Sequence, residues 1–132
     1  MSESLNVLLV EDNDFFVDRV KNILQQTLAN YQVLFTHVSD HQNLRASLES
    51  AQYGLAMIDF DLRGGYEADA RRTVRIIDSS QPSCIRIGYS LMPKDITKKD
   101  PLINDIFHRI LDWESLNNPK TFKKVLEEFG FS

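Results

Sequence analysis

Acidic side chains stand directly after two apolar segments of this sequence. Glu11 and Asp12 follow the run "VLLV", while Asp59 and Asp61 close the stretch "LAMIDFD". Carboxylates crowded together repel one another, and a hard divalent cation such as Mg²⁺ relieves that repulsion through oxygen ligands. A carboxylate held beside Mg²⁺ can also attack phosphorus and form an aspartyl phosphate. The chemistry that these residues offer is therefore metal binding and phosphoryl transfer.

A hydroxyl and a cation occur later in the chain in comparable positions. Ser90 ends the apolar segment "CIRIGYS", and Arg109 lies within "NDIFHRIL". In phosphoryl transfer, a metal ion, a hydroxyl and a cation can share the three phosphoryl oxygens. Ser90 and Arg109 are thus candidates for contacts to a phosphoryl group.

The same residues also have structural interpretations. Glu11 and Asp12 could cap the helix that follows them, as acidic residues often do after a strand. Asp61 could be a solvated loop charge, and Arg109 could be a structural ion-pair partner of Asp59 or Asp12. The joint pattern of these residues at strand ends favours a site over these separate roles.

Strand and helix patterns alternate along the chain, and they determine where these side chains must lie. Alternation of this kind predicts βαβ units with a parallel sheet and helices on both faces. Ligands of such sheets bind beyond the carboxyl ends of the strands. Arg86 suggests that the fourth strand is less fully enclosed than the others. The predicted strands are 6–10, 31–38, 54–59, 84–90 and 104–111. The predicted helices are 14–28, a helix that includes 43–51, 67–80 and 119–130. Asp14 is expected to cap the first helix, Ser39 and Asp40 the second, and the segment 91–105 is uncertain.

Composition narrows the class of protein. The 132 residues suit one domain over 1–132, and the net charge of −4 argues against a nucleic-acid surface. Cys84 is the only cysteine, which excludes an internal disulfide and a cysteine-based zinc site. No apolar segment approaches the ~20 residues that span a bilayer, so we expect a cytoplasmic protein.

Four motifs together resemble the receiver domain of two-component response regulators, over nearly the whole chain. They are "VLLVEDND", "YGLAMIDFDLRGG", "IGYS" and "DIFHRILD". The resemblance implies a doubly wound, flavodoxin-like sheet of five parallel strands in the order 2-1-3-4-5. It implies Asp59 as the phosphoacceptor, and Mg²⁺ held by Glu11, Asp12, Asp59 and the backbone carbonyl of Asp61.

The resemblance also assigns the residues that sense the phosphoryl group, and here the sequence departs from the family pattern. Ser90 takes the switch position, and Arg109 takes the place of a lysine that contacts the phosphoryl group. Ile106 falls where the family has a switch aromatic residue. Ile110 replaces a proline, and Leu91 follows Ser90 where a small residue is usual. The carboxylates are thus present, while the readout is altered.

Three functions are compatible with these features. The first is a stand-alone response regulator, monomeric or weakly dimeric, which takes a phosphoryl group from a histidine kinase, a phosphotransfer protein or a small phosphodonor and changes its affinity for a partner protein. It would not be an enzyme beyond its own phosphorylation and dephosphorylation. The second is a receiver-like interaction module that works without phosphorylation. The third is a phosphatase, because "DFDLRGG" resembles the start of haloacid-dehalogenase-type enzymes, with Asp59 as nucleophile and Asp61 as general acid.

Overall fold

A five-stranded parallel sheet with helices on both faces forms the molecule. The computed structural model describes residues 3–59, 67–90 and 107–131, with backbone only for 67–70. The strands lie in the order β2-β1-β3-β4-β5, which confirms the predicted flavodoxin-like arrangement. Along the chain the elements are β1 (Glu3–Val10), α1 (Asp14–Thr27), β2 (Tyr31–Val38), α2 (His41–Ser50), β3 (Leu55–Asp59), α3 (Glu67–Ser80), β4 (Ile85–Ser90), β5 (Arg109–Asp112), α4 (Trp113–Asn117) and α5 (Pro119–Glu128).

The core has two halves, one on each face of the sheet. Side chains of a strand alternate between faces, so Val7 and Leu9 of β1 pack with α1, α4 and α5, while Leu8 and Val10 pack with α2 and α3. All five residues of β3 are buried. The central strands are therefore enclosed on both sides, which explains why they read as continuous apolar runs. Among the described residues, no helix combines the length and hydropathy that a bilayer crossing requires.

The first two helices begin at side-chain caps. Asn13 caps α1, because its Oδ1 accepts from the backbone N–H groups of Phe15 and Phe16. The predicted cap Asp14 is instead the first helical residue, where its charge faces the positive end of the helix dipole. Asp40 caps α2 as predicted, through the N–H of Asn43. The helix therefore starts at 41, directly after the predicted cap.

The fourth strand is more enclosed than its arginine suggested. Arg86 is buried, and its guanidinium donates to the carbonyl of Cys84 at 3.2 Å and pairs with Asp78 at 3.2 Å. A buried charge is tolerated when it is paired and hydrogen-bonded in this way. The prediction of a less enclosed strand was wrong for this reason.

The fifth strand ends later than predicted, at residue 112 rather than 111. Residues 107 and 108 are not part of it, and 104–106 lie outside the described residues.

Asp112 ends the strand and caps α4, with Oδ1 accepting from the N–H of Ser115 at 2.6 Å. Five residues are too few to show helical periodicity, so α4 was missed. Asn118 then caps α5, with Pro119 in its first turn. The uncertain segment 91–105 lies outside the described residues.

Candidate functional site

Three carboxylates meet at the carboxyl edge of the sheet. Val10 of β1 lies opposite Ile58 of β3, so the residues that follow them emerge side by side. One carboxylate oxygen each of Glu11, Asp12 and Asp59 lies within 4.8 Å of the others. Glu11 is fully buried and Asp59 is 7% exposed, while Asp12 is open to solvent. The sheet thus brings together three of the residues that the sequence nominated.

Glu11 is held in place from several directions. Its Oε2 accepts from the backbone N–H groups of Asp12, at 3.0 Å, and Asn13, at 3.2 Å. Its Oε1 accepts from the hydroxyl of Tyr89 at 2.9 Å. Its own backbone carbonyl accepts from Nε2 of His37 at 2.6 Å. The orientation of this buried carboxylate is therefore fixed by the protein itself.

Tyr89 is a site residue that sequence reasoning missed. It is 2% exposed and lies opposite Asp59, one residue before Ser90. Burial raises the pKa of its phenol well above the usual value, and the nearby charges of Glu11 and Asp59 raise it further. The phenol thus stays protonated, and its hydroxyl donates a hydrogen bond to Glu11. A signal was available, because a tyrosine in a buried strand needs a partner for its hydroxyl.

Aromatic rings pack beside this hydrogen bond. Trp113, the first residue of α4, lies edge-on to Phe16 with ring centroids 4.9 Å apart, and its centroid is 6.0 Å from that of Tyr89. Phe15 continues the group at 5.5 Å from Phe16 and is 70% exposed. The rings join the start of α1 to the end of β5, and so support Tyr89 from the side.

The structure keeps Ser90 at the sheet edge but does not bring Arg109 there. Ser90 is buried at the end of β4. Arg109 is the first residue of β5, opposite Ile87, and its Nη1 lies 3.3 Å from Oε2 of Glu128. Three residues of strand rise by ~10 Å, so the start of β5 is far from its carboxyl end. Arg109 is thus an ion-pair partner, as one interpretation of the sequence had it, but its partner is Glu128 and not Asp59 or Asp12.

A carboxylate occupies the place at which a cation was expected. Asp112 ends β5 and lies opposite Ser90. The resemblance assigned the phosphoryl-contacting cation to Arg109. The residue that lies opposite Ser90 is instead Asp112, three residues further along the strand. The remaining nominated residues, Asp61, Leu91 and Ile106, lie outside the described residues.

The donor set suits a hard divalent cation. Three carboxylates supply only oxygen ligands, and their mutual repulsion is what such an ion relieves. Asp12 and Asp59 would hold the ion. Oε2 of Glu11 already accepts two hydrogen bonds and Oε1 accepts one, so Glu11 keeps a lone pair on Oε1. The carbonyl of Asp61 as a fourth ligand stays a prediction.

Comparison with protein-family models and with curated protein sequences gives no match. Solved structures do match. One is the receiver domain of a sensor histidine kinase from Pseudomonas aeruginosa PAO1, with a magnesium ion in its active-site cleft; it is 17% identical with a TM-score of 0.71, over 96% of this chain and 97% of that one. A signal receiver domain of an HD domain-containing protein from Pseudomonas fluorescens Pf-5 is 18% identical with a TM-score of 0.72, over 98% and 88%. A response regulator from Thermotoga maritima is 15% identical with a TM-score of 0.70, over the full length of both chains.

The match extends over the whole sheet and not only over a shared motif, because nearly all of each chain is covered. The chain therefore has the fold of response-regulator receiver domains, and the predicted resemblance is confirmed at the level of the fold.

Proposed function

We propose that this chain is a response-regulator-like signalling domain in which Asp59 accepts a phosphoryl group in the presence of Mg²⁺. The observation that carries the proposal is the meeting of Glu11, Asp12 and Asp59 within 4.8 Å at the carboxyl edge of a receiver fold. A histidine kinase or phosphotransfer protein in the cytoplasm would be the donor. Phosphorylation would change the affinity for a partner protein. The magnesium ion seen in a receiver of the same fold supports this cofactor.

Each residue has a defined task in this scheme. A carboxylate oxygen of Asp59 attacks the phosphorus, the bond to the donor breaks, and the donor leaves with its electron pair. The hydroxyl of Ser90 at the end of the neighbouring strand donates to a phosphoryl oxygen. Glu11, held by Tyr89, lies with Asp12 and Asp59 around the place where Mg²⁺ would bind. Bound Mg²⁺ would supply charge neutralisation for the phosphoryl oxygens.

Phosphorylation by a small donor tests the proposal directly. The protein is incubated with acetyl phosphate and Mg²⁺ and examined by intact-mass spectrometry, with EDTA as the metal-free control. We expect the mass of one phosphoryl group on the wild type and none on Asp59→Asn. Asp40→Asn is a matched control, because it removes a carboxylate from an exposed helix cap while asparagine still caps well. Equal labelling of wild type and Asp59→Asn would refute the assignment of the acceptor.

One observation favours a second candidate, a module that binds its partner without phosphorylation. The end of β5 presents the carboxylate of Asp112, while Arg109 pairs with Glu128. A negative charge at that position opposes a phosphoryl group. In this case a pull-down with the Asp59→Ala protein would recover the same partner proteins as a pull-down with wild type. Loss of those partners in a folded Asp59→Ala protein would exclude the module.

A further inference from the structure

A strongly basic groove runs between α2 and α3, on the opposite side of the sheet from α1. Four arginines line it: Arg45 from α2, and Arg71, Arg72 and Arg75 from α3. Among the described residues that line the groove, Glu49 is the only acidic one, so these residues carry three excess positive charges in a chain of net charge −4. The groove encloses about 750 Å³. It uses none of the residues assigned to the carboxylate site.

Hydrogen bonds fix both walls of this groove. At one end a 2.9 Å hydrogen bond joins Nε2 of His41 in α2 to Oγ1 of Thr73 in α3. At the other end Gln81, which follows α3, donates from Nε2 to the carbonyls of Leu48, at 3.1 Å, and Ala51, at 2.6 Å. The two helices are therefore held apart at a set distance, and the groove is a preformed surface.

The lining combines charge with apolar surface along its length. Leu48 and Ile76 lie in the lining with the arginines, and Ser79 and Ser80 continue it toward the end of α3. From residue 71 to 80 a helix rises by ~13 Å, the length of two to three helical turns. Arg72 and Arg75 are exposed. Such a surface can take an elongated ligand that alternates apolar and negatively charged groups.

We propose that this groove binds an acidic peptide segment of a partner protein, with an apolar side chain of the segment seated on the half-buried Ile76, beside the buried Leu48. Guanidinium groups form bidentate hydrogen bonds with carboxylates, which matches the arginines to such a segment. The carboxylate of Glu49 in the lining repels a densely charged ligand such as a nucleotide or a nucleic-acid backbone. A peptide can spread its charges and avoid that contact. The proposal does not depend on phosphorylation of Asp59.

Fluorescence polarisation with defined peptides tests the proposal. The probe is a labelled twelve-residue peptide of glutamates with leucines at positions one, four, five and eight, which form one helical face. Its first comparison peptide replaces every leucine by glutamine, and its second replaces every glutamate by lysine. We expect only the Glu/Leu peptide to bind well, with affinity that falls as salt is raised, since exposed charges are screened.

Charge reversal in the groove provides the matched variants. Arg72→Glu with Arg75→Glu should weaken binding of the Glu/Leu peptide by about tenfold or more, because it removes the attraction and adds repulsion. Lys120→Glu with Lys123→Glu makes the same charge change at the same spacing on exposed positions of α5 and should bind as wild type does. Thermal unfolding of both double variants should stay close to that of wild type.

Several results would overturn the proposal. Equal binding of the glutamine-substituted peptide would show a diffuse electrostatic surface without an apolar seat. Tighter binding of ATP or of an oligothymidylate than of the Glu/Leu peptide would indicate a phosphate site. Self-association of the chain that Arg72→Glu with Arg75→Glu abolishes would assign the groove to a second copy. Failure of the Glu/Leu peptide to bind at all would refute the proposal that the groove binds an acidic peptide.

Discussion

The hydroxyl of Tyr89 donates a 2.9 Å hydrogen bond to Oε1 of Glu11, and both residues are buried. This contact links the end of β4 to the loop after β1, across the strand that carries Asp59. It orients one carboxylate of a group that must stay close together despite like charge. The acidic site is therefore built partly by a tyrosine that carries no negative charge at neutral pH.

Tyr89→Phe should destabilise the metal-free protein. Glu11 keeps its two backbone donors but loses one hydrogen bond to a buried charge, which costs ~1–3 kcal/mol. Urea denaturation without added metal measures the free energy of unfolding of both proteins. Tyr53→Phe is the control, since the hydroxyl of Tyr53 makes only a 3.4 Å contact with a backbone carbonyl. Equal losses of unfolding free energy in Tyr89→Phe and Tyr53→Phe would mean that the hydrogen bond to Glu11 stabilises the protein no more than the weak Tyr53 contact does.

Substitution of the two charged residues of β5 should affect phosphorylation differently. Arg109→Ala removes an exposed ion pair with Glu128, so we expect a stability change of ~0.5 kcal/mol or less and unchanged labelling by acetyl phosphate. Asp112→Asn removes a negative charge beside Ser90 while asparagine still caps α4, so labelling should increase. Intact-mass time courses compare the rates. A large loss of labelling in Arg109→Ala would restore the role that the sequence suggested for it.

His108 should make the stability of the protein depend on pH. Burial lowers the pKa of its imidazole, the positive charge of Arg86 lowers it further, and Asp78 opposes them. Its Nδ1 also accepts from the backbone N–H of Arg86 at 3.0 Å, which requires an unprotonated nitrogen. The unfolded chain binds the proton more readily, so this stability is present above the ordinary pKa of 6.5 and is lost as the pH falls through the lowered pKa.

Urea midpoints at about pH 7.5 and about pH 5 give the comparison, across the ordinary range of histidine titration. His108→Asn keeps an acceptor but does not titrate, and its stability should fall less between these two pH values than that of wild type. The same drop in both proteins would assign the pH dependence to other groups.

Cys84 should be unreactive in the folded protein. Burial raises the pKa of its thiol to about 11, against a smaller opposing effect of the positive charge of Arg86. Only the thiolate is a good nucleophile, so alkylation by iodoacetamide at neutral pH should be very slow. The same reaction in urea should be fast. Rapid alkylation of the native protein, followed by mass spectrometry, would show that this strand opens more readily than its burial suggests.

The features that could be predicted from the sequence are those that depend on apolar periodicity and on where the strands end. The parallel sheet and the meeting of Glu11, Asp12 and Asp59 follow from apolar strands whose ends share one edge of a parallel sheet. The order of the strands came from the resemblance to receiver domains, not from these patterns. The position of Arg109 did not follow. A strand of four residues has too little pattern to fix its ends, so the sequence did not show that Arg109 begins β5 rather than lying at its carboxyl end. Tyr89 was missed because its partner lies 78 residues away in the chain.

The proposed phosphoacceptor can be observed at single residues by NMR. Backbone amide shifts are recorded for metal-free protein, after addition of Mg²⁺, and after further addition of beryllofluoride, which mimics a phosphoryl group on a carboxylate. We predict that Mg²⁺ shifts the amides of Asp12 and Asp59, and that beryllofluoride then shifts those of Asp59 and Ser90 in wild type but not in Asp59→Ala. Unchanged amides at Asp59 and Ser90 under saturating beryllofluoride and Mg²⁺ would contradict the proposal that Asp59 carries the signal.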